Sequence, residues 1–560
     1  MVEKFTKLLN KEFSNINQAA ILLGFFALLS QIFGLIRDRT LAGVLGPSEG
    51  LDIYYAAFRI PDFLYVTIAL LATVTATLPF LTSAFEKNGF SRAKRFFDNV
   101  FTVYFLILIG VSVLVFFLMP VIAPLVAPGF NLDQMNQLIN ISRIMLLSPI
   151  FMGLSNLFAS VTQMYKRFMV YALAPVLYNI GILIGVLGFM PIFGLNGLAY
   201  GVILGAAMHL TIQVPILIKH KFVPKFTTHI NWLELKALVM ISLPRTLGLA
   251  SKNIALIAIV AIASVIGEGA ISVFNFSLNL QTVPLTLIGL SYSVAAFPTL
   301  SKLFVENNIG EYVRQITSAA RQVIFWSIPI TFLFIVLRAQ IVRVILGTGN
   351  FDWSDTRLTA AALALFAVSV LAQGLTLLFV RGYYAAGETW KPLFINLFSS
   401  GVIIGAAYGL LKFFAHTPAF VYFIESIMRV DNTPGTAVLM LPLAFSIGSI
   451  LNFTLLWWAF AEDFPAVRGA KLGRTFFQSF SASFLMAVAS YEMLIIFGNI
   501  FNLDSFWGVL GQGFFAGVIG IVVGISVLYL MKSKELHEIS KTLKSKIWRA
   551  PAMVEGQSDL

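Results

Sequence analysis

The chain has 560 residues, 58% hydrophobic and only 11% charged, with a mean hydropathy of +0.87, which excludes a water-soluble globular domain and puts the chain in lipid. Its net charge of +12 is spread over alternate loops rather than gathered in a patch, so nucleic acid is excluded as the partner. There is no cysteine, and hence no disulfide and no thiolate metal site.

The stretch from Met1 to Asn15 is amphipathic and charged and is followed by no small-residue cleavage site, so no cleavable signal peptide is expected. Apolar runs long enough to span then follow at 18–44, 53–84, 99–125, 138–163, 169–191, 195–218 and 237–265. They continue at 271–303, 318–337, 358–382, 391–413, 436–460, 476–499 and 507–531, about fourteen in all. The expected fold is an all-α polytopic membrane protein. Lysine and arginine alternate between loops: Lys87, Arg92, Lys94 and Arg95 lie on one side, while 45–51, 126–137, 192–194, 266–270 and 500–506 carry none. This positive-inside pattern makes both termini cytoplasmic.

The first two runs carry Arg37-Asp38-Arg39, Asp52, Arg59 and Asp62. A charge near the bilayer centre costs about 2.5–3.5 kcal/mol on insertion scales, which marks these residues as functional candidates. Arg37 suits phosphate, because a guanidinium keeps its charge and donates bidentately; the competing reading is a packing pair with Asp38 or Asp52. Asp52, Arg59 and Asp62 fall at i, i+7 and i+10, near one helical face, and a structural ion network competes with substrate contact there. In the seventh run Arg245 and Lys252 are seven residues apart on one face, with snorkelling to the surface the other reading for Arg245. The five histidines show no paired ligand spacing, so no metal centre is expected.

The chain also repeats weakly at an offset of about 220 residues. Pro79-Phe-Leu-Thr-Ser reads like Pro298-Thr-Leu-Ser-Lys, and the stretch around Pro175 reads like that around Pro392. This predicts two six-span lobes, 1–222 and 237–465, joined by a basic amphipathic linker at 223–236. Two further spans at 466–531 and a basic cytoplasmic tail at 532–560 follow.

Ser30-Gln31-Ile32-Phe33-Gly34-Leu35-Ile36-Arg37-Asp38 resembles the S-R-x-x-G-x-x-R-D opening of the MurJ (MviN) family of lipid II flippases. Asp52 followed by Ala57-Phe58-Arg59-Ile60-Pro61 is similar to that family's D-x-x-x-x-A-F-[RK]-x-P-N. Pro298-Thr299-Leu300-Ser301, Gly349-Asn350-Phe351 and Tyr383 to Pro392 resemble its later motifs in the same order. The resemblance implies a V-shaped bundle of two lobes around a cationic cavity, in the cytoplasmic membrane of a bacterium. It implies export of an undecaprenyl-pyrophosphate-linked muropeptide by alternating access, with the last two spans forming an apolar groove for the lipid tail. The partners would be that lipid-linked substrate and membrane lipids.

Gln31, Tyr65 and Asn279 stand where the family has arginines, and Leu70-Leu71 replaces its Glu-Gly pair. The expected anion site is therefore Arg37 and Arg59 with Arg245 and Lys252, flanked by Asp38 and Asp52. No ATP-binding motif and no cofactor are expected. A flippase for another polyprenyl-linked oligosaccharide and a drug exporter of the same superfamily are the alternatives, together with a non-transporting scaffold. An enzyme of lipid-linked glycan synthesis needs acidic loop clusters, and the loop 414–435 offers only His416, Glu425, Arg429 and Asp431.

Overall fold

The computed structural model describes residues 16–69, 74–469 and 472–547, which are helical with no strand among them. The basic N-terminal stretch, Leu70-Leu71 and the end of the basic tail lie outside the described residues. In chain order the helices are α1 (Ile16–Leu45), α2 (Glu49–Ala57), α3 (Arg59–Leu64), α4 (Val74–Val126), α5 (Leu132–Met145), α6 (Leu147–Met164), α7 (Phe168–Ile184) and α8 (Met190–Phe193). Then come α9 (Leu195–Thr211), α10 (Val214–Lys219), α11 (Trp232–Ile266), α12 (Ala270–Pro284), α13 (Ser291–Val305), α14 (Ile309–Val336), α15 (Arg338–Leu346) and α16 (Trp353–Ala367). The last are α17 (Val370–Ala385), α18 (Trp390–His416), α19 (Pro418–Met428), α20 (Met440–Asp463), α21 (Leu472–Gly498), α22 (Phe506–Leu530) and α23 (Lys534–Ile547).

Eleven elements among the described residues are long and apolar enough to cross a bilayer, or twelve if α16 and α17, bent by 44°, make one span. The expected number of fourteen is not reproduced. One reason is α4, in which the second expected span meets the third at a kink: Gly89 (φ 74, ψ −176) is non-helical, a backbone shape that suits glycine, and helix abuts it on both sides. The start of the second expected span is itself broken into α2, α3 and a π-helical turn at Tyr65–Ala69. Pro61 causes part of that break, because it has no N–H to give the carbonyl of Ala57.

One compact unit comprises residues 1–280, 345–366 and 388–452. Its tightest helix pair is α7 with α9, where glycines let backbones touch. A Cβ on Gly181 would sit 2.2 Å from the Cα of Gly205, and one on Gly201 would sit 2.4 Å from the Cα of Gly185. In lipid, where apolar surface gains little by leaving the solvent, such close backbone packing is a main source of helix association. Gly205→Leu is therefore expected to cost about 1–3 kcal/mol by overpacking. It should lower the thermal unfolding midpoint in detergent, and an unchanged midpoint would refute this account of the pair.

The segment after α10 is strapped to α4 rather than hanging free. The backbone N–H of Lys225 donates to Asp98 Oδ1 at 2.9 Å, and that of Thr227 donates to Thr102 Oγ1 at 3.1 Å. Asn131 and Gln134 form a reciprocal cap at the start of α5, which fixes where that helix begins.

The other unit comprises residues 281–344, 367–387 and 453–560. Within it α21 packs along α22 and against α14. The Tyr312 hydroxyl donates to the carbonyl of Gly382 at 2.8 Å, and Tyr383 donates to Asp463 at 2.9 Å. The expected basic tail begins as the amphipathic helix α23. Its Leu536 and Ile539 pack on Phe325, Ala482 and Leu528, while the buried Glu535 accepts from Thr475 at 2.7 Å and Ser533 at 3.0 Å.

Candidate functional site

The charges of the first three helices converge on one stripe of α12. Ser272, Asn275 and Asn279 are spaced i, i+3 and i+7, which places them on one face of that helix. Each meets a charged residue from the start of the chain.

At one end of the stripe, Asp52 of α2 works as a cap supplied from another helix. Its Oδ2 accepts from the N–H of Gly269 at 2.8 Å, and its Oδ1 accepts from the N–H of Ser272 at 2.8 Å and the Ser272 hydroxyl at 2.5 Å. These are unpaired donors of the first turn of α12, where a helix dipole favours an anion. In the middle, Arg59 of α3 donates from Nη2 to Asn275 Oδ1, and Asn275 is in turn held by donating to the carbonyl of Ile271 at 2.7 Å. The Nε of Arg59 is buried without a partner among the described residues.

At the other end, Arg37 of α1 donates to Asp38 Oδ1 from both Nε (2.9 Å) and Nη2 (2.8 Å). Its Nη1 donates to Asn179 Oδ1 at 3.2 Å, and Asn279 Nδ2 donates to Asp38 Oδ2 at 3.0 Å. The Asp38 side chain is 4% exposed and that of Arg37 is 23% exposed, so the carboxylate is locked in while the arginine is part-buried.

The end of α1 is locked as well. Asn350 donates from its backbone N–H to the carbonyl of Gly43 at 3.0 Å and from Nδ2 to that of Val44 at 2.7 Å. Gly349 (φ +53) has no room for a side chain, since a Cβ would lie 2.2 Å from the Gly43 carbonyl oxygen.

The remaining expected cations lie on α11. Lys252 is exposed, with its ammonium 5.8 Å from the ring centroid of buried Phe445, within reach of a cation–π contact. Arg245 lies on the same helix, but its side chain is outside the described residues. The structure thus brings Arg37, Asp38, Asp52 and Arg59 together around one helix face. Tyr65, where an arginine is expected, accepts from Asn156 Nδ2 at 2.9 Å. Ser272, Asn275 and Asn179 were not anticipated, and the signal available for two of them was the i, i+3, i+7 spacing of polar residues in an apolar run. Among the described residues no group of three or more His, Cys, Asp or Glu could hold a metal.

A family model described as "Lipid II flippase MurJ" matches residues 41–510. A protein of Rickettsia prowazekii called "Probable lipid II flippase MurJ" is 28% identical over 403 residues, which cover 70% of this chain and 78% of that one. The "Lipid II flippase MurJ" of Burkholderia cenocepacia is 27% identical over 398 residues, covering 70% and 77%. Among solved structures, a lipid II flippase MurJ in an inward closed conformation superposes with a TM-score of 0.69 at 21% identity, covering 94% of this chain and all (100%) of that one. An inward-facing multidrug transporter of the MATE family superposes with a TM-score of 0.62 at 17% identity, over 80% of this chain and 99% of that one.

Proposed function

The chain belongs to the MurJ family of lipid II flippases, and we propose on that premise that it carries an undecaprenyl-pyrophosphate-linked muropeptide across the cytoplasmic membrane of a bacterium. The observation that carries this reading is the family match across residues 41–510. The chain is a multi-pass membrane transporter in this reading, with both termini cytoplasmic on the positive-inside pattern.

The chemistry around Arg37 supports an anionic head group. Its guanidinium donates to Asp38 and Asn179, and its side chain is part-buried. A pyrophosphate that took the donors now given to Asn179 would leave Asp38 still held by Asn279. Lys252, exposed on α11, and Arg245 on the same helix add positive charge without a carboxylate of their own in that stretch. Asp38 and Asp52 act on packing, holding α12 rather than touching cargo.

Alternating access has a natural place in this arrangement. The loops 45–51 and 266–270, which lack lysine and arginine, meet where the Glu49 N–H donates to Glu268 Oε1, and Asp52 accepts from the Gly269 N–H beside them, so these contacts close the outer side in this reading. Release of cargo outward requires α12 to part from α1, α2 and α3.

Rescue of a bacterium depleted of its own lipid II flippase tests the reading. The parent chain is expected to restore growth, and Arg245→Gln/Lys252→Gln is expected to lose rescue at unchanged membrane abundance. Growth restored fully by that double variant would remove both cations from the anion site. Failure of a well-inserted parent would favour a different polyprenyl-linked oligosaccharide. That second reading draws on Tyr65 and Asn279, which stand at expected arginine positions and are committed to internal hydrogen bonds.

A further inference from the structure

We propose that the short helix α19 lies flat in the outer boundary of the bilayer, with Tyr422, Phe423 and Ile427 among the lipid head groups and upper acyl chains. The helix is apolar but has only 11 residues. At the helical rise it is about 16 Å long, roughly half the thickness of a hydrocarbon core, so it cannot cross. Yet it joins two elements that can, α18 and the run Thr436–Asp463 that contains α20.

Unlike a surface helix of a water-soluble domain, α19 is apolar on both sides. Toward the protein, Ile424 is buried, and the Phe420 ring lies 4.8 Å from that of Phe413 and 6.2 Å from that of Phe414. Away from the protein, Tyr422, Phe423 and Ile427 are exposed and share one side of the helix. The two polar groups of the helix are engaged elsewhere: Glu425 accepts from Thr436 Oγ1 at 2.6 Å, and the Ser426 hydroxyl donates to Asp431 at 3.3 Å. A helix that is apolar all round belongs in a protein core or in lipid, and among the described residues no protein covers this side.

What adjoins that side sets its depth. The last turns of α18 expose Tyr408, Lys412 and Phe413, with the Lys412 ammonium 4.6 Å from the Tyr408 ring centroid. A tyrosine with a lysine reaching along it is the chemistry of a membrane–water boundary. Because Phe413 packs on Phe420, the lipid-facing surface of α18 runs on into α19 without a break. Lys412 and Arg429 are exposed at the two ends of this stretch, where lipid phosphates would meet positive charge.

The helix is built to hold this attitude. Arg357 of α16 gathers its C-terminal end: Nε and Nη2 donate to the carbonyl of Arg429 at 3.1 and 2.7 Å, and Nη2 donates to that of Asp431 at 3.3 Å. Arg429 takes the left-handed conformation that stops a helix, and the N–H of Val430 returns to the carbonyl of Glu425 at 2.9 Å. Clamped at one end and continuous with α18 at the other, α19 fixes how deep the α18–α20 pair sits. The side of the membrane follows from the positive-inside pattern; the depth depends neither on that pattern nor on the cargo.

The chain has no cysteine, so a single introduced one reports its own surroundings. The test attaches an environment-sensitive fluorophore to Phe423→Cys in the full chain, reconstituted into vesicles of phosphatidylethanolamine and phosphatidylglycerol. Pro434→Cys, at an exposed position of the following loop, is the reference. Quenching by a nitroxide carried near the top of the lipid acyl chain is expected to be several-fold stronger at 423 than at 434, and quenching by aqueous iodide several-fold weaker. Iodide access at 423 equal to that at 434 would overturn the proposal. Shielding of 423 from both quenchers would put protein on this side and overturn it too, with disulfide-linked pairs on oxidation identifying that protein as a second copy. Should the Phe423→Cys chain fail to fold, Tyr422→Cys carries the same measurement with the same outcomes.

Discussion

Asp52→Ala is expected to abolish rescue of a flippase-depleted bacterium, with the largest effect of any single substitution considered. The carboxylate accepts three hydrogen bonds, from the N–H groups of Gly269 and Ser272 and from the Ser272 hydroxyl. Hydrogen bonds to a charged group contribute about 1.5–3 kcal/mol each, and donors left buried without partners add a desolvation cost. Ser272 is fully buried, so water does not replace the lost acceptor cheaply. Asp52→Asn keeps one acceptor oxygen but turns an NH2 group toward N–H donors, and should fall between Ala and the parent. The chain has no cysteine, which makes the prediction directly measurable by disulfide trapping. In a Glu49→Cys/Glu268→Cys background, which spans the start of α2 and the turn before α12 where the Glu49 N–H donates to Glu268 Oε1 at 3.1 Å, cross-linking should form and drop when Asp52→Ala is added. Normal growth together with undiminished cross-linking would show that Asp52 is not what holds α12 in place.

Arg37→Ala is expected to lose rescue as well, and a second substitution separates its two roles. If Arg37 only neutralises Asp38, its removal leaves a buried carboxylate with Asn279 as its remaining side-chain partner, a loss of about 3–5 kcal/mol. Arg37→Ala/Asp38→Asn would then recover both stability and growth. If Arg37 grips a phosphate, the double variant recovers stability in a detergent melt and still fails to support growth. The latter is the expected outcome. Arg37→Lys should be intermediate, since it keeps the charge but gives up the planar fork that serves Asp38 and Asn179 together.

The charged residues of this site were legible because charge in an apolar run is conspicuous; their partners were not. Asp52 was visible as a carboxylate but not as the cap of a helix that begins 218 residues later, since nothing local to Asp52 names Ala270. Ser272 and Asn275 are neutral residues that a hydropathy reading passes over. Asn279 and Tyr65 were read as lost arginines, whereas the structure gives each a positive task, one holding Asp38 and the other holding Asn156. The contacts of Glu49 with Glu268, Asp52 with Gly269 and Ser272, and Arg59 with Asn275 fall at separations of 219, 217, 220 and 216 residues. These separations are close to the offset of about 220 residues expected for the repeat, while Asn279 with Asp38 lies at 241. The number of spans was less legible, because the polar stretch from Glu86 to Arg95 reads as a loop in the sequence yet is helical on both sides of the kink at Gly89.

Ser272, Asn275 and Asn279 ride on one stretch of helix, and that has a kinetic consequence. A rigid rod cannot release its first handhold and keep the other two. A shift of α12 large enough to free Asp52 carries Arg59 and Asp38 out of register in the same movement. Opening is therefore all-or-none, with no long-lived half-unlatched form and a barrier set by the sum of the three attachments. Weakening any one of them should speed both the passage out of the latched form and, to the extent that the bonds form late on the way back, leave the return rate nearly unchanged.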